Sequence, residues 1–427
     1  MQETLPVPKT KNISSKEGKL AFLRARLWPV KTTGATIESL DGLRGIAALL
    51  VVMVHIGNNL TLRSYSYTNG HPFMDATWFI WYSGVNGVQL FFILSGFLLF
   101  IPYAQTLLGL KPFPSTGRFL GRRAFRILPA YWIVLAVLVL FSGGKAGVVD
   151  FKLDVILHVF LLHNWSLDTI GSFQGPFWTM PTEVQFYLLL PLIGLVLYQL
   201  TIRSRSPRFW IGLLVAVGFL SSPITGILEA SAKDSEPALV NHLTLIYAFA
   251  YMALFATGMI CSYFYVRSAV PSSSGKFSLF DPGYTLAIRI TGVVAFLLVL
   301  GQAFLNSNTL SAIDARIQNW FIVNPLLAIS FGALLLETLR KGSLCWRLLS
   351  HPAVRFIGVI SFSLYLWHLP VLVNVITPLV DKWSLHSEFF GLFLYLVLTF
   401  VIIIPVSYLS YMLVERPFIN LSKQIFK

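Results

Sequence analysis

Long apolar runs, separated by short polar segments, recur from residue 43 almost to the end of the sequence. A membrane-spanning helix needs about 20 mostly apolar residues. An eleventh run, residues 153–165, is too short for this and is predicted to be an interfacial or re-entrant piece. The pattern therefore predicts an all-α polytopic membrane protein with about ten spans, at roughly 43–61, 78–103, 124–142, 176–200, 209–228, 243–266, 284–304, 320–339, 356–378 and 389–413.

The composition supports a membrane protein. Of the 427 residues, 56% are apolar and 12% are charged, whereas soluble proteins carry about 25% charged residues. A soluble enzyme and a disordered chain are both excluded. We expect a basic tail over residues 1–37, a transmembrane domain over 38–420 and a short tail over 421–427.

The net charge of +14 would suggest a nucleic-acid partner in a soluble protein. In a membrane protein its distribution matters more, because Lys and Arg concentrate in cytoplasmic loops. If residues 1–42 are cytoplasmic, ten spans return the C-terminus to the cytoplasm. Of the 32 basic residues, 26 then lie inside. We therefore predict cytoplasmic termini, with the lipid bilayer and not nucleic acid as partner.

The first predicted span carries Arg44 at its cytoplasmic entry and His55 eleven positions later. Eleven residues of helix bring the two side chains to one face, about 16 Å apart along the axis. Ionisable residues at membrane depth are costly and are functional candidates by default. The structural alternative is a histidine between packed helices and an arginine that snorkels.

The second span repeats small or aromatic residues along one stripe, with Gly87, Phe91 and Ser95 at intervals of four and Gly96 next to Ser95. Small residues at such spacing usually allow close helix packing. We prefer that interpretation, with Ser95 as a hydroxyl that lines a site as the second one.

An arginine cluster opens the third span, where Arg122, Arg123 and Arg126 stand in the segment GRRAFRILPAYW. Such a cluster can hold lipid headgroups. It equally suits a phosphate-rich ligand, because each guanidinium can form two hydrogen bonds with a phosphate. The segment alone leaves both interpretations open.

Glu183 lies near the start of the fourth span, nearer the outside in the predicted topology and two residues after Pro181. A carboxylate in a first helical turn is favoured by the helix dipole, which is the structural interpretation. Carboxylates among aromatic side chains also bind sugars, and Glu183 lies in a region rich in aromatic residues. Its other candidate residues are Asn164, Trp165, Trp178 and Tyr187, and His368 lies at membrane depth in the ninth span.

Metal chemistry is not expected. The sequence has no HExxH and no CxxC. It also lacks a GxSxG elbow and a Walker loop.

Several segments, taken in order, resemble the acyltransferase-3 family of membrane O-acyltransferases. They run from residue 37 to about 420: DGLRGIAALLVVMVH, GVQLFFILSGFLL, RRAFRILPAYW, HNW, FWTMPTEVQFYLLLPL, SFSLYLWHLP and ERPF. The Arg-x10-His pattern of the family falls on Arg44 and His55, and its Arg-x-x-Arg on Arg123 and Arg126. The family pattern Gly-x3-Phe-x3-Ser-Gly coincides with the stripe of the second span. The chain carries no fused hydrolase-like domain, so we expect the membrane domain to perform the whole reaction.

The resemblance implies transfer of an acyl group, usually acetyl from acetyl-CoA, to a hydroxyl of a cell-surface or exported glycan. It implies a bacterial inner-membrane enzyme with no bound cofactor, whose partners are an acyl-CoA donor and a glycan or lipid-linked sugar acceptor. The donor phosphates are expected to meet Arg44, Arg122, Arg123 and Arg126. His55 is expected to act as general base, and Glu183 to bind or orient the acceptor.

Two alternatives stay open at this point. The acceptor could be a small hydrophobic natural product or a glycolipid. The protein could also be a transporter that moves a glycan or lipid without modifying it, in which case the intramembrane His and Glu would form a proton relay.

Overall fold

The computed structural model describes residues 37–67, 83–141, 150–166, 168–204, 206–232, 247–270, 281–306, 319–383 and 388–427. Within these ranges the chain forms helices and no strand, which confirms the predicted all-α polytopic architecture. Almost all of the predicted basic tail, and residues 78–82 of the second predicted span, lie outside the described residues.

Besides the four-residue helix Tyr247–Ala250, fifteen α-helices are numbered in the part of the chain that the structure describes. They are α1 (Glu38–Tyr67), α2 (Asn86–Leu107), α3 (Thr116–Phe141), α4 (Phe151–Val159), α5 (Thr179–Ser204), α6 (Pro207–Ala232), α7 (Met252–Ser268), α8 (Pro282–Asn306), α9 (Asn324–Leu339), α10 (Leu344–Leu349), α11 (Pro352–Val359), α12 (Ser361–Val371), α13 (Thr377–Trp383), α14 (Glu388–Ser410) and α15 (Arg416–Ile425). Turns of π-helix precede α9, join α12 to α13 and join α14 to α15. Helix α15 continues past residue 420, where the sequence suggested that the domain ends.

Nine helical stretches among the described residues are long and apolar enough to cross a membrane, and each coincides with a predicted span. The remaining predicted span, 243–266, corresponds to α7. This helix has 17 residues, of which 12 are buried, and the helical turn Tyr247–Ala250 ends one residue before it. Residues 243–246 of this predicted span lie outside the described residues. The eleventh run forms the nine-residue helix α4, which is too short to span a bilayer, as predicted.

Helix α2 lies at the centre of the bundle and contacts its neighbours through glycines. A Cβ added to Gly96 would stand 2.2 Å from the carbonyl oxygen of Phe255 on α7, and one added to Gly87 would stand 2.4 Å from that of Ala47 on α1. Only glycine permits backbones to approach this closely. The packing interpretation is therefore confirmed for Gly87 and Gly96, whereas Ser95 lines the cavity described below.

The start of α1 is fixed against α11. Arg355 is 2% exposed, and its guanidinium lies 3.2 Å from Glu38 and 3.7 Å from Asp41. Beside these two ion pairs of Arg355, a Cβ on Gly358 would overlap the carbonyl of Asp41. These contacts fix the first turns of α1, and Arg44 with them.

Candidate active site

A cavity of about 70 Å³ lies where α1, α2, α3, α5 and α12 converge. It has room for roughly five water-sized groups. Apolar side chains, mainly from α2, form much of its wall. Its polar lining residues are Arg44, Ser95, Arg123, Arg126, Thr179, Glu183, Tyr187, Ser361 and Tyr365.

Three guanidinium groups face this cavity. Arg44 comes from α1, and Arg123 and Arg126 come from successive turns of α3. The Nε atom of Arg123 is buried and has no hydrogen-bond partner among the described residues. A buried donor without a partner is costly, so this geometry favours a ligand that accepts hydrogen bonds.

Glu183 supplies the one carboxylate among the described lining residues. Asp41 interacts electrostatically with Arg44, and Glu415 with Arg126, but neither carboxylate lines the cavity. Of the described charged side chains that a ligand would meet in the cavity, three are arginines and one is a carboxylate.

The carboxylate of Glu183 is held by two hydroxyls. Ser95 Oγ on α2 donates to its Oε1 at 2.8 Å, and Tyr187, one turn further along α5, donates to the same oxygen at 2.5 Å. Both bonds end on Oε1, so Oε2 keeps capacity for further hydrogen bonds. Sequence reasoning placed Glu183 and Tyr187 among aromatic residues near the outer side, whereas the structure brings both together with the arginines.

His55 lies beside the cavity and is not among its lining residues. Its nearest aromatic neighbour is His368 on α12, with ring centroids 5.1 Å apart. The ring of Tyr365 lies 5.6 Å from that of His368 and also lines the cavity. The histidine pair is therefore separated from the arginines by one layer of side chains.

Tyr365 belongs to this layer, and its ring meets that of Phe91, which also lines the cavity, edge to face at 6.2 Å. The hydroxyl of Tyr365 donates to the carbonyl of Pro176 at 2.6 Å and lies 2.7 Å from the hydroxyl of Thr179. No such polar anchor is available to the phenyl ring of Phe91.

The residues of the segment HNW lie away from the cavity. Asn164 is fully buried, and neither of its amide atoms has a partner within the described ranges, whereas Trp165 is 52% exposed. Trp178 contacts the cavity only indirectly, since it packs against Phe92, which lines it. None of the three contacts the arginine cluster.

A histidine pair next to Asn164 fixes this segment. The rings of His158 and His163 stack with centroids 4.0 Å apart. His158 Nδ1 lies 3.1 Å from the buried carboxylate of Asp154, and His163 Nε2 lies 3.1 Å from the carbonyl of Phe177. Burial and, to a smaller extent, the neighbouring His158 lower the pKa of His163 to about 3. His163 is therefore neutral, and the stacked pair holds the chain just before α5.

Arg122 is placed differently from the two other arginines of its cluster. It is exposed and donates from Nε and Nη2 to the carbonyl of Phe426, at 3.1 and 2.5 Å. It does not line the cavity. In this structure it joins α3 to the residues after α15.

Sequence reasoning missed two residues of this region. Tyr365 stands three positions before His368, a spacing that puts both on one helix face, so the signal was available. Glu415 is 2% exposed and accepts a short hydrogen bond from Ser363. Only the tertiary structure reveals its position behind Arg126.

The arrangement offers no metal centre in the described ranges, where no group of three metal-binding side chains was found. What it offers is a cationic cavity with one fixed carboxylate, next to a pair of histidines. These groups can bind an anion and can accept and return a proton.

Comparison with known protein families identifies the family of this chain. The family profile described as an acyltransferase domain matches residues 37–412. The chain belongs to the acyltransferase-3 family. The match includes every residue that lines the cavity as well as both histidines of the neighbouring pair.

Curated relatives support this family. The chain is 24% identical over 396 residues to the peptidoglycan O-acetyltransferase OatA of Listeria monocytogenes. The aligned region covers 89% of this chain and 55% of that protein. It is 28% identical over 394 residues to BcsY of Komagataeibacter xylinus, named as a membrane-bound transacylase, with 89% and 82% covered. It is 24% identical over 357 residues to the O-acetyltransferase OatA of Staphylococcus aureus, with 79% and 51% covered. The chain thus spans about half the length of the OatA proteins, and no solved structure matches it.

Proposed function

We propose that this protein is a membrane O-acyltransferase of the bacterial cytoplasmic membrane. In this proposal it moves an acetyl group from cytoplasmic acetyl-CoA to a hydroxyl of a cell-surface or exported glycan. Support comes from the family membership, from two relatives named O-acetyltransferases, and from the distribution of Lys and Arg.

The observation that carries the proposal is the cavity lined by Arg44, Arg123 and Arg126. Coenzyme A is a polyanion, and guanidinium groups bind phosphate with paired, charge-assisted hydrogen bonds. All three arginines stand about two to three turns from the ends of α1 and α3 that the charge bias assigns to the cytoplasm. The donor phosphates would therefore bind where acetyl-CoA is available.

The acetyl end of the donor would point from the arginines toward His55, about 16 Å further along α1. His55 takes the proton of the acceptor hydroxyl as the oxygen attacks the thioester carbonyl. The carbon–sulfur bond then breaks, and the thiolate leaves with the proton from His55. Histidine suits both transfers because its ordinary pKa lies near neutrality.

Because Glu183 lies with the arginines and not beside His55, it would contact the donor part of the bound substrates through Oε2 while Ser95 and Tyr187 hold Oε1. A carboxylate with one oxygen already fixed presents the other in a defined direction, which supports positioning of a substrate. In this role Glu183 contributes to binding geometry and His55 to proton transfer.

The test uses the purified full-length chain in phospholipid nanodiscs with radiolabelled acetyl-CoA. Peptidoglycan fragments, lipid-linked oligosaccharides and a hydrophobic polyketide alcohol serve as separate acceptors. We expect an alkali-labile label on one of the two glycan acceptors. Label on the polyketide alone would overturn the acceptor class, and donor that is neither bound nor consumed would overturn the enzyme itself.

A further inference from the structure

A second imidazole lies beside the proposed base, at membrane depth. The ring of His368 on α12 is fully buried, with its centroid 5.1 Å from that of His55 on α1 and the ring planes inclined by 43°. The two histidines belong to helices far apart in sequence. Their proximity therefore results from the tertiary fold and not from local helix geometry.

The hydrogen bond of His368 fixes its tautomer. Nδ1 lies 2.6 Å from the carbonyl oxygen of Tyr365. A carbonyl oxygen can only accept a hydrogen bond, so Nδ1 carries the proton and a neutral ring has its lone pair on Nε2. His368 thus offers an acceptor, and not a donor, at Nε2.

This acceptor has no partner in the resting structure. Nε2 of His368 is buried and makes no hydrogen bond within the described ranges. Buried polar atoms are nearly always paired, and one left unpaired requires an explanation. His55 is the neighbouring group that interacts electrostatically with His368, and its ring carries an N–H in every protonation state relevant near neutral pH.

We infer that His368 is a positioning residue for His55, an inference that rests on the proposed function. Nε2 of His368 accepts the N–H on the ring nitrogen of His55 that does not face the acceptor. This bond leaves the other nitrogen of His55 unprotonated and directed at the substrate. A small rotation of the His55 side chain, which is half-buried, completes the contact.

The proton balance follows from this pairing. His55 takes the acceptor proton on its free nitrogen and becomes an imidazolium, while its other N–H stays bonded to Nε2 of His368. The acetyl carbon gains a bond to the acceptor oxygen and loses its bond to sulfur. The imidazolium then returns the proton to the leaving thiolate. His368 stabilises the positive charge throughout and exchanges no proton with the substrate.

Three substitutions at residue 368 separate an acceptor from a packing group. His368→Gln places an amide oxygen near the position of Nε2, His368→Asn places it near Nδ1, and His368→Phe keeps the ring without any acceptor. Loss of one hydrogen bond to a charged group predicts a turnover lower by roughly 10–150-fold for Phe and Asn. Gln should recover a substantial part of that loss.

Trp367→Phe is the matched control, because it alters a half-buried aromatic residue on the same helix that does not line the cavity. Turnover is measured as free CoA released from acetyl-CoA by chromatography, with peptidoglycan fragments and with water as acceptors. The Kd of acetyl-CoA is measured in parallel and should stay within a factor of two in all four variants. A Phe variant as active as wild type, or more active than Gln, would overturn the role of His368.

A double variant distinguishes failure of this inference from failure of the proposed function. If the two histidines act as one unit, His55→Ala combined with His368→Phe is no slower than His55→Ala alone. Multiplied losses would show independent roles and would overturn the pairing. An active His55→Ala variant would instead refute His55 as the base, and wild-type protein that neither binds nor consumes acetyl-CoA would refute the proposed function.

Discussion

Replacement of Arg123 by Ala tests whether the cavity binds the donor. The guanidinium lines the cavity, and its Nε atom is buried without a partner in the part of the chain that the structure describes. One hydrogen bond between charged groups contributes ~1.5–3 kcal/mol. The Kd of acetyl-CoA should therefore rise by roughly 10–150-fold. Arg123→Lys should restore part of the affinity, because it keeps the charge and loses the paired hydrogen bonds.

The neighbouring residue provides the control for this measurement. Arg122→Ala removes the same charge from the same helix, but Arg122 is exposed and bonds to the carbonyl of Phe426 outside the cavity. The Kd of acetyl-CoA should rise about tenfold less in the Arg122 variant than in the Arg123 variant. Equal losses in the two variants would indicate a general effect of surface charge.

Calorimetric titration of acetyl-CoA and steady-state turnover, both in nanodiscs, separate binding from chemistry. A contact made equally in the ground and transition states raises KM without changing kcat, so saturating donor should restore most of the rate of Arg123→Ala. Unchanged affinity with collapsed turnover would refute donor binding by this arginine. It would then have to act on the acceptor or on the structure.

Three further predictions concern orientation, packing and pH. A reporter fused after Lys427 should be active only in the cytoplasm if the positive-inside bias sets the topology, and activity outside would contradict this. Gly258→Ala should lower the melting temperature, by an equivalent of about 1–3 kcal/mol, because its Cβ would stand 2.1 Å from the carbonyl of Ile93, whereas Gly212→Ala, with open space around it, should not. Because the pKa of His163 falls from its ordinary value of 6.5 to about 3 in the folded chain, its stabilising effect is complete above pH 6.5 and is lost as pH falls toward 3. The decrease in melting temperature between pH 7 and pH 5 should therefore be smaller in His163→Phe than in wild type, and an equal decrease would contradict it.

The spans were predictable because a bilayer imposes a minimum apolar length on each crossing. Helix α7 also has an apolar sequence, although most of its residues are buried against other helices.

The arginines of the cavity were predictable as candidates because charged residues at membrane depth are rare. Helical spacing correctly made neighbours of Arg123 and Arg126. Spacing gave no information on Arg122, whose position depends on a contact with Phe426 about 300 residues away.

The pairing of side chains from different helices could not be predicted. The bond between Ser95 and Glu183 and the proximity of His55 and His368 each join segments far apart in sequence. Helix geometry placed Arg44 and His55 on one face, but it could not show that only Arg44 lines the cavity while His55 lies beside His368.

Acetyl transfer by His55→Ala tests the central claim most directly. Positioned acid–base groups contribute ~10²–10⁴-fold to rate, and His55 does not line the cavity that we assign to the donor. The variant should therefore insert and bind acetyl-CoA like wild type while its transfer of radiolabelled acetyl falls at least about 100-fold. A variant that binds the donor normally and keeps more than about a tenth of wild-type transfer would contradict the account.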